Sequence, residues 1–209
     1  MSLLGTVHAM WRYPIKSLAA EPLHEAQIDP EGIPGDRSQA LIVRGGHARV
    51  GKTYRGKEHN LLHTTGTTDV AKSFAATRGA TVELEAQQNH YFDCAPVSVI
   101  FDRWLNEASD LVGYELEPLR YRPNIFARAA NGFLADEPAL LGARLLIGTA
   151  VLRVREPIER CVTTTYDLRT GESDANVLRA VAQHRSACLG IYCDVETPGR
   201  VRVGDSIRR

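Results

Sequence analysis

The segment formed by residues 144–167, RLLIGTAVLRVREPIERCVTTTYD, combines strand patterns with a reactive side chain. Two apolar runs, Arg144–Ile147 and residues 151–155, predict short β strands. Behind the second run comes Cys161, which follows Arg160 and precedes three hydroxyls and a carboxylate. A cationic neighbour favours the thiolate, the form of cysteine that attacks electrophiles or binds a soft metal. The segment therefore predicts β structure that leads into a candidate nucleophile or metal ligand.

A structural role is the alternative for Cys161. Free cysteines are among the most often buried residues, and in a core they behave as small hydrophobes. The local sequence alone leaves both interpretations open.

Strand patterns of the same kind recur along the chain, and few helices interrupt them. Further strands are predicted at residues 6–13, 23–29, 40–43, 81–86, 124–127, 189–195 and 200–203, the last two as a hairpin. Helices are predicted from an N-cap at Thr67 or Thr68 to before Gly79, at residues 101–112 and at Ala175–His184. Many short strands with few helices favour a mainly β fold with a closed or nearly closed barrel.

Composition limits the classes of protein to which this chain can belong. Its 209 residues, 44% hydrophobic and 24% charged, suffice for one large or two small cores. The balance of 25 basic and 25 acidic residues gives no reason to expect nucleic acid or an anionic membrane as partner. The first residues lack the apolar core of a signal peptide, and no run approaches the roughly 20 apolar residues that span a bilayer. We therefore expect no membrane association.

The cysteine spacing excludes two common sites. Cys94, Cys161, Cys188 and Cys193 form no Cys-x-x-Cys pair, which argues against a zinc knuckle or a thioredoxin-like centre. Reduced thiols in a cytoplasmic protein are the simplest interpretation.

Residues 44–68 have an unusual composition, rich in Gly, His, Lys and Arg. His47, His59 and His63 lie here without a helical or strand pattern. A polar loop over an active site is favoured, since loops on rigid scaffolds commonly carry function. A metal site is the alternative, because His59 and His63 are four residues apart, but no acidic partner follows them.

Several basic residues follow turn or proline signals. Lys16 and Ser17 come after a strand and a proline, where an ammonium and a hydroxyl can together bind a phosphate oxygen. Arg37 follows a Gly35-Asp36 turn, and its planar fork suits bidentate phosphate recognition. Solvated surface charges are the alternative for all of them.

Pro123 is expected to hold Arg122 in extended geometry and to end strand pairing on one side. Arg122 and Asn124 would then face inward at a barrel mouth and offer donors and an acceptor to a flat heterocycle. Alternatively they pair with Glu117 and start a strand.

Five motifs occur in a characteristic order. They are Arg12-Tyr13-Pro14-Ile15-Lys16-Ser17-Leu18, Gly32-Ile33-Pro34-Gly35-Asp36-Arg37, Arg120-Tyr121-Arg122-Pro123-Asn124-Ile125, the segment around Cys161, and Val201-Arg202-Val203-Gly204-Asp205. Together they resemble the MOSC family, named for the C-terminal domain of molybdenum cofactor sulfurases. The resemblance implies an N-terminal β module at 1–60, a helix-strand connection at 61–94 and a MOSC domain with a bent β barrel at 95–209.

The resemblance also implies a molybdenum-molybdopterin cofactor. Lys16, Ser17 and Arg37 match residues that contact the cofactor's phosphate end in redox-active members, and Cys161 matches the molybdenum ligand. The remaining implied cofactor contacts are Arg122, Asn124, Arg160, Thr164, Thr165 and Asp167. For Arg160, lowering the pKa of the neighbouring thiol is the alternative role, and residues 167–171 also form an ordinary turn pattern.

Two departures from the family pattern concern the loops. The stretch 133–138 contains the acidic pair Asp136-Glu137 without the tryptophan that commonly follows, which leaves the substrate-facing loop undefined. The linker between the modules is short. We expect no desulfurase region before the domain, so any sulfur would be delivered by another protein.

The resemblance implies a reductase of N-hydroxylated compounds, similar to the amidoxime-reducing members of the family. Electrons would come from a separate flavin, iron–sulfur or haem protein, because the chain has no GxGxxG loop or cysteine cluster. The alternative is a carrier of the cofactor, or of sulfur as a Cys161 persulfide. A third possibility is a barrel without cofactor that serves as a binding module.

Overall fold

A β barrel closed by seven strands forms the centre of the computed structural model. The structure describes residues 1–46, 49–87 and 90–209, which form twelve β strands and three α helices. The strands are β1 Leu3–Arg12, β2 Glu21–Leu23, β3 Glu25–Ile28, β4 Gln39–Gly45, β5 Thr81–Ala86, β6 Val97–Phe101, β7 Ile125–Ala129, β8 Arg144–Ile147, β9 Ala150–Glu159, β10 Cys188–Thr197, β11 Gly199–Arg202 and β12 Ser206–Arg208. The helices are α1 Thr68–Thr77, α2 Asp102–Val112 and α3 Ala175–His184.

The barrel strands follow one another in the order β12-β8-β9-β10-β6-β7-β1, and β1 pairs again with β12 to close the sheet. All these pairs are antiparallel except β6 with β7. Closure pairs strand edges that would otherwise be exposed, and it directs alternate side chains into one apolar interior. The predicted mainly β barrel is confirmed.

Aliphatic and aromatic side chains from every wall fill the barrel. Val7, Leu152 and Ile191 are buried there, and Phe101 stacks on Phe133 with ring centroids 4.5 Å apart. The indole of Trp104 packs on the same cluster and donates a hydrogen bond to the Ala135 carbonyl at 2.9 Å. Burial of these side chains is the main source of stability for the fold.

A second apolar cluster lies under α1. The strands β4 and β5 pair with each other, and Leu41, Val43 and Leu62 pack against Ala71 and Ala75 of the helix. Together, β4, β5 and α1 hold the loop between β4 and α1 against the segment that follows β1.

The helices α2 and α3 pack on the outside of the barrel, where Leu105, Ala108, Val177 and Val181 share a cluster with Ile100. The helix α3 coincides with its predicted range, and α2 begins one residue later than predicted because Phe101 is its N-cap. None of the helices in the described residues is long and apolar enough to cross a membrane.

Two strand predictions were incomplete. The strand β6 was not predicted, because all five of its residues, including the polar Ser98, are buried and no exposed position marks an alternating pattern. The predicted strand 23–29 is two strands, β2 and β3, which pair with β1 and β11 respectively.

The predicted hairpin of residues 189–195 with 200–203 is wrong. The strand β10 lies between β9 and β6, so both of its edges are already paired. The strand β11 instead pairs with β3, through residues Gly199 to Arg202 against Ile28 to Glu25.

Candidate functional site

A pocket of about 630 Å³ brings together most of the residues predicted for a site. Those that line it are Lys16, Ser17, Arg37, Arg122, Arg160, Cys161 and Thr164. Cationic side chains dominate the lining: Lys16, Arg37, Arg55, Lys57, Arg120, Arg122 and Arg160 face only Asp93, Glu156 and Glu159. The local potential therefore favours an anionic ligand, although the whole chain is neutral.

The segment after β1 places Lys16 and Ser17 at one wall. The backbone N–H of Lys16 donates to the Gln39 carbonyl at 2.7 Å, and Ser17 takes a left-handed conformation with φ of 70°. The Lys16 ammonium lies 2.5 Å from a carboxylate oxygen of Asp93. Partial desolvation by the surrounding protein opposes ionisation of Asp93, but the charge of Lys16 outweighs it and lowers the pKa of that carboxyl. Lys16 therefore lines the pocket as one partner of an ion pair with Asp93, whose side chain is mostly exposed.

Arg37 is fixed by a buried carboxylate. Asp36 has no exposed surface; it accepts from the Arg37 guanidinium at 2.5 Å and from the backbone N–H of Tyr13 at 2.7 Å. The other end of the guanidinium donates to the Arg122 carbonyl at 3.1 Å. Both ends of the planar fork therefore have a defined position before any ligand binds.

Arg122 corrects a prediction about backbone geometry. Its φ of 55° and ψ of 48° are left-handed, not extended, because it caps the 3₁₀ turn Pro118–Tyr121 and its N–H donates to the Leu119 carbonyl. One terminal nitrogen donates to the Leu18 carbonyl at 2.7 Å. The other, Nη2, is buried and has no hydrogen-bond partner among the residues that the structure describes.

The charge of Arg122 is costly in this position. Burial, with a contribution from the nearby charge of Arg37, lowers the pKa of Arg122 to about 10. A buried charged donor without a partner is destabilising, and an anion bound at Nη2 would remove that penalty.

Tyr13 lies between the two guanidiniums. The Cζ atom of Arg37 is 4.6 Å from the centroid of its ring and that of Arg122 is 4.2 Å. Its hydroxyl donates to the Pro123 carbonyl at 2.9 Å. Burial raises the pKa of this phenol, so Tyr13 stays neutral.

His63 adds a neutral acceptor to this cationic wall. Its Nδ1 lies 2.7 Å from the Ser17 carbonyl, which requires the proton on Nδ1 and leaves Nε2 as the acceptor. Burial and the charge of Arg122 lower the pKa of His63 to about 3. Within the described part of the chain, the buried Nε2 atom has no hydrogen-bond partner.

Cys161 occupies a different part of the pocket, at the N-terminus of the 3₁₀ turn Val162–Thr165. Its thiol is exposed, and Sγ lies 3.1 Å from the Thr163 hydroxyl. The Arg160 guanidinium donates instead to the carbonyls of Leu189 and Tyr121, at 2.7 and 2.9 Å. Arg160 therefore braces the strand end that presents the thiol.

Two further cysteines line the same pocket. Cys94 donates its thiol proton to Glu156, which raises the pKa of Cys94. Burial raises the pKa of Cys188. The surroundings of Cys94 and Cys188 therefore favour the protonated thiol. Variants of these two residues can serve as controls for variants of Cys161.

The architecture around this pocket matches known families. Residues 86–208 match the MOSC domain, and residues 4–90 match the MOSC N-terminal beta barrel domain. The chain belongs to the MOSC family. Its N-terminal match contributes Lys16, Arg37 and His63 to the pocket, and its MOSC domain contributes Arg122 and Cys161.

Relatives of this MOSC protein include amidoxime-reducing components. Mitochondrial amidoxime reducing component 2 of Macaca fascicularis is 29% identical over 132 residues, and the human protein of that name is 28% identical over 132 residues. Each match covers 57% of this chain and 38% of the relative, so the chain spans well under half of their length.

The YUAD protein from Bacillus subtilis superposes with a TM-score of 0.60 at 19% identity, covering 98% of this chain and 94% of that one. A second crystal structure, of a hypothetical protein, gives 0.50 at 10% identity, covering 98% and 68%. These likenesses show the fold.

Three residues predicted to contact a cofactor lie outside the lining of the MOSC pocket. The Asn124 side-chain oxygen accepts from the backbone N–H and the hydroxyl of Ser98, at 3.1 and 2.9 Å. Thr165 is hydrogen-bonded to Ser173 at 2.8 Å. Asp167 accepts from the backbone of its own turn and faces a neighbouring hollow. Their contact with a cofactor stays a prediction; the structure gives each a bracing role.

Some pocket residues were not predicted. Arg120 donates to the carbonyls of Thr164 and Tyr166, at 3.3 and 2.8 Å, and so supports the turn behind Cys161. Its guanidinium is buried by tertiary contacts, and the sequence signal was only its place in the motif with Arg122. Other unpredicted lining residues are Glu156, Pro157, Ile158, Glu159 and Tyr192.

The histidine-rich loop was predicted to cover a site, and Arg55, Gly56 and Lys57 do line the pocket. His59 instead stacks on Phe74 at 4.5 Å. His47 lies outside the described residues. Among residues 1–46, 49–87 and 90–209 no three His, Cys, Asp or Glu side chains are grouped to hold a metal ion.

The acidic pair near residue 137 also has a defined role. Glu137 is 3% exposed, accepts from Arg185 at 2.7 Å and from the Gly190 backbone at 3.0 Å. This carboxylate is therefore part of a buried ion pair.

Proposed function

We propose that this MOSC protein binds molybdenum cofactor in the described pocket and reduces N-hydroxylated compounds. The observation that carries the proposal is the convergence of Arg37, Arg122 and Cys161 on one pocket, with Arg122 Nη2 buried and unpartnered. Membership of the family and the amidoxime-reducing relatives support the same activity.

The residues present fit such a group at both ends. At one end the cationic wall offers charge-assisted donors that suit a phosphate dianion. At the other, Cys161 offers one exposed thiol. Because no protein cluster of three metal ligands occurs in the described residues, the other ligands would belong to the cofactor itself.

Each residue has a distinct proposed task. Lys16, Ser17 and Arg37 would bind phosphate oxygens, and Arg122 would donate Nη2 to the same group. His63, neutral at physiological pH, would hold Ser17 in place through the hydrogen bond from Nδ1 to the Ser17 carbonyl. Cys161 would bind the metal through Sγ, and Arg160 and Thr164 would hold the turn that presents it.

The bound molybdenum would supply two-electron oxygen-atom transfer, chemistry that belongs to the cofactor. The balanced reaction converts an amidoxime, two electrons and two protons into an amidine and water. We propose a separate flavin, iron–sulfur or haem protein as the electron donor. The protein itself would bind and orient the cofactor and the substrate and would stabilise their charges.

The test is turnover by protein made in a host that synthesises the cofactor. With reduced viologen as donor, the loaded protein should convert benzamidoxime to benzamidine, and Cys161→Ala should not. A preparation with stoichiometric molybdenum and pterin that oxidises no donor with several N-hydroxylated substrates would reject the reductase proposal.

A carrier is the second candidate, and the exposure of Cys161 favours it. In that role Cys161 would hold a persulfide, or the cofactor would be bound without turnover. Cyanide-labile sulfur that disappears in Cys161→Ala, without reductase activity, would select the carrier.

The cellular setting is part of the proposal. All four cysteines lie in the described residues and are unbridged, which supports a reducing compartment such as the cytoplasm. The neutral overall charge supports small-molecule and protein partners over nucleic acid or membrane.

A further inference from the structure

The two guanidiniums beside the pocket repel each other, yet both lie within 4.6 Å of the ring centroid of a single buried residue. Arg37 and Arg122 come from segments 85 positions apart, and Arg37 donates to the backbone carbonyl of Arg122. Nothing in their local sequences sets this distance; tertiary contacts do.

Tyr13 makes contacts to both segments. Its backbone accepts from the Arg37 N–H at 2.6 Å and donates to Asp36 at 2.7 Å. Its hydroxyl donates to the Pro123 carbonyl at 2.9 Å, immediately after Arg122. The residue is 1% exposed, so its position is fixed by packing on all sides.

The ring of Tyr13 offers a face to each cation. Guanidinium carbons at 4.6 and 4.2 Å from the centroid lie within the range of a cation–π interaction. A π-face attracts a guanidinium without consuming its N–H groups, so the donors stay available for a ligand. Arg122 Nη2 is such a donor.

We propose that Tyr13 is the positioning residue of the oxyanion end of this pocket: its ring keeps the Arg37 and Arg122 guanidiniums in the arrangement that binds a phosphate monoester. The inference rests on the proposed phosphate binding, and it is independent of molybdenum and of turnover. Tyr13 itself touches no ligand in this role.

The experiment measures binding of inorganic phosphate to the purified full chain by calorimetry. Tyr13→Leu, which removes the π-face, should weaken phosphate binding about tenfold, whereas Tyr13→Phe, which keeps the ring, should change it less than about twofold. Tyr54→Leu is the matched control. Tyr54 is also 1% exposed, but it belongs to the cluster under α1, so its replacement should lower the melting temperature without changing phosphate affinity.

A second measurement covers the case in which Tyr13→Leu does not fold. In wild-type protein the guanidinium protons of Arg37 and Arg122 should show upfield NMR shifts from the Tyr13 ring current, and Tyr13→Phe should retain them. Unshifted resonances would overturn the stacking.

Equal phosphate affinity in folded Tyr13→Leu and wild type would overturn the positioning role, as would equal losses in the Phe and Leu variants. Wild-type protein that binds no phosphate would reject the inference together with the phosphate part of the proposed function. If phosphate binding depends on the Tyr13 ring but the protein reduces no N-hydroxylated compound, only the reductase proposal would be rejected.

Discussion

The two ends of the pocket are built on opposite principles. At the oxyanion end, Arg37 and Arg122 are held by carbonyls, a buried carboxylate and a ring, and little freedom remains for them to lose when a ligand binds. At the thiol end, Cys161 is exposed on a short turn with one neighbouring hydroxyl. Under the proposed function, phosphate recognition would be preorganised by the fold, whereas metal binding would depend on chemistry that the ligand brings.

The sharpest way to break this comparison is to remove the thiol. Cys161→Ala should abolish molybdenum incorporation while the melting temperature stays near that of wild type, because the side chain is exposed and packs little. Metal analysis and thermal unfolding check this.

Cys94→Ala, Cys188→Ala and Cys193→Ala serve as controls and should retain molybdenum. Cys94 and Cys188 line the same pocket, so their variants test whether molybdenum incorporation requires Cys161 itself or any cysteine near the site. Molybdenum at wild-type level in Cys161→Ala would end the assignment.

The next largest effects should come from the oxyanion end. Arg122→Ala and Arg37→Ala should each weaken pterin retention by about 10- to 150-fold, since a charge-assisted hydrogen bond contributes about 1.5–3 kcal/mol. Lys16→Ala should cost less, because Asp93 already pairs with its ammonium. Pterin released per mole of protein provides the measurement.

The Arg37→Lys variant tests whether pterin retention requires the planar guanidinium or only a positive charge. Arg37 donates from separate nitrogens to Asp36 and to the Arg122 carbonyl, so an ammonium should restore only part of the loss. Full restoration, or equal pterin yields from all these variants, would place the basic residues outside the binding machinery.

The pH dependence of stability probes His63, whose folded-state pKa of about 3 lies below the ordinary value of about 6.5. The unfolded chain therefore takes up a proton first as pH falls. The stability that depends on neutral His63 is present above about pH 6.5 and declines towards pH 3, by about 3 kcal/mol between pH 7 and 4.

Urea unfolding of wild type and His63→Gln between pH 7 and 4 measures this difference. His184→Gln, at an exposed histidine, should follow the wild-type curve. Parallel curves for wild type and His63→Gln would show that His63 is not held neutral by the fold.

The smallest effect is expected at Asp167. Its carboxylate accepts from the backbone N–H groups of Thr170 and Arg169, which lower its pKa, and it faces a separate hollow. Asp167→Asn should change pterin retention less than about twofold and destabilise the protein by about 0.5–1 kcal/mol. A large loss of pterin would show that the acid reaches the cofactor.

Much of the site was predictable because its motifs resemble those of the MOSC family; the local turn signals alone left Lys16 and Arg37 equally open to a role as solvated surface charges. Lys16 follows a strand and a proline and Arg37 follows a Gly35-Asp36 turn, and both line the pocket. The roles of His63 and Tyr13 were not predictable from local sequence. Each depends on a partner far away in the chain, such as the Pro123 carbonyl for Tyr13, and no periodicity encodes such a contact.

The fold shows the same limit. Strands with one exposed face, such as β5, were predicted with correct ends because alternation reports a half-buried surface. The fully buried β6 has no such pattern, and the partners of β11 are decided by which sheet edges remain unpaired. Sequence periodicity indicates burial, whereas pairing is a property of the assembled barrel.

The left-handed backbone at Ser17, Arg37 and Arg122 has a consequence for engineering this protein. Glycine adopts such conformations without steric penalty, whereas other residues pay about 1–3 kcal/mol. A screen for thermal stability alone would therefore tend to select glycine at Ser17 and Arg122, although both side chains face the pocket. At Arg37 the same change would leave the buried carboxylate of Asp36 without its ion pair, so only the other two sites set selection for robustness against selection for ligand affinity.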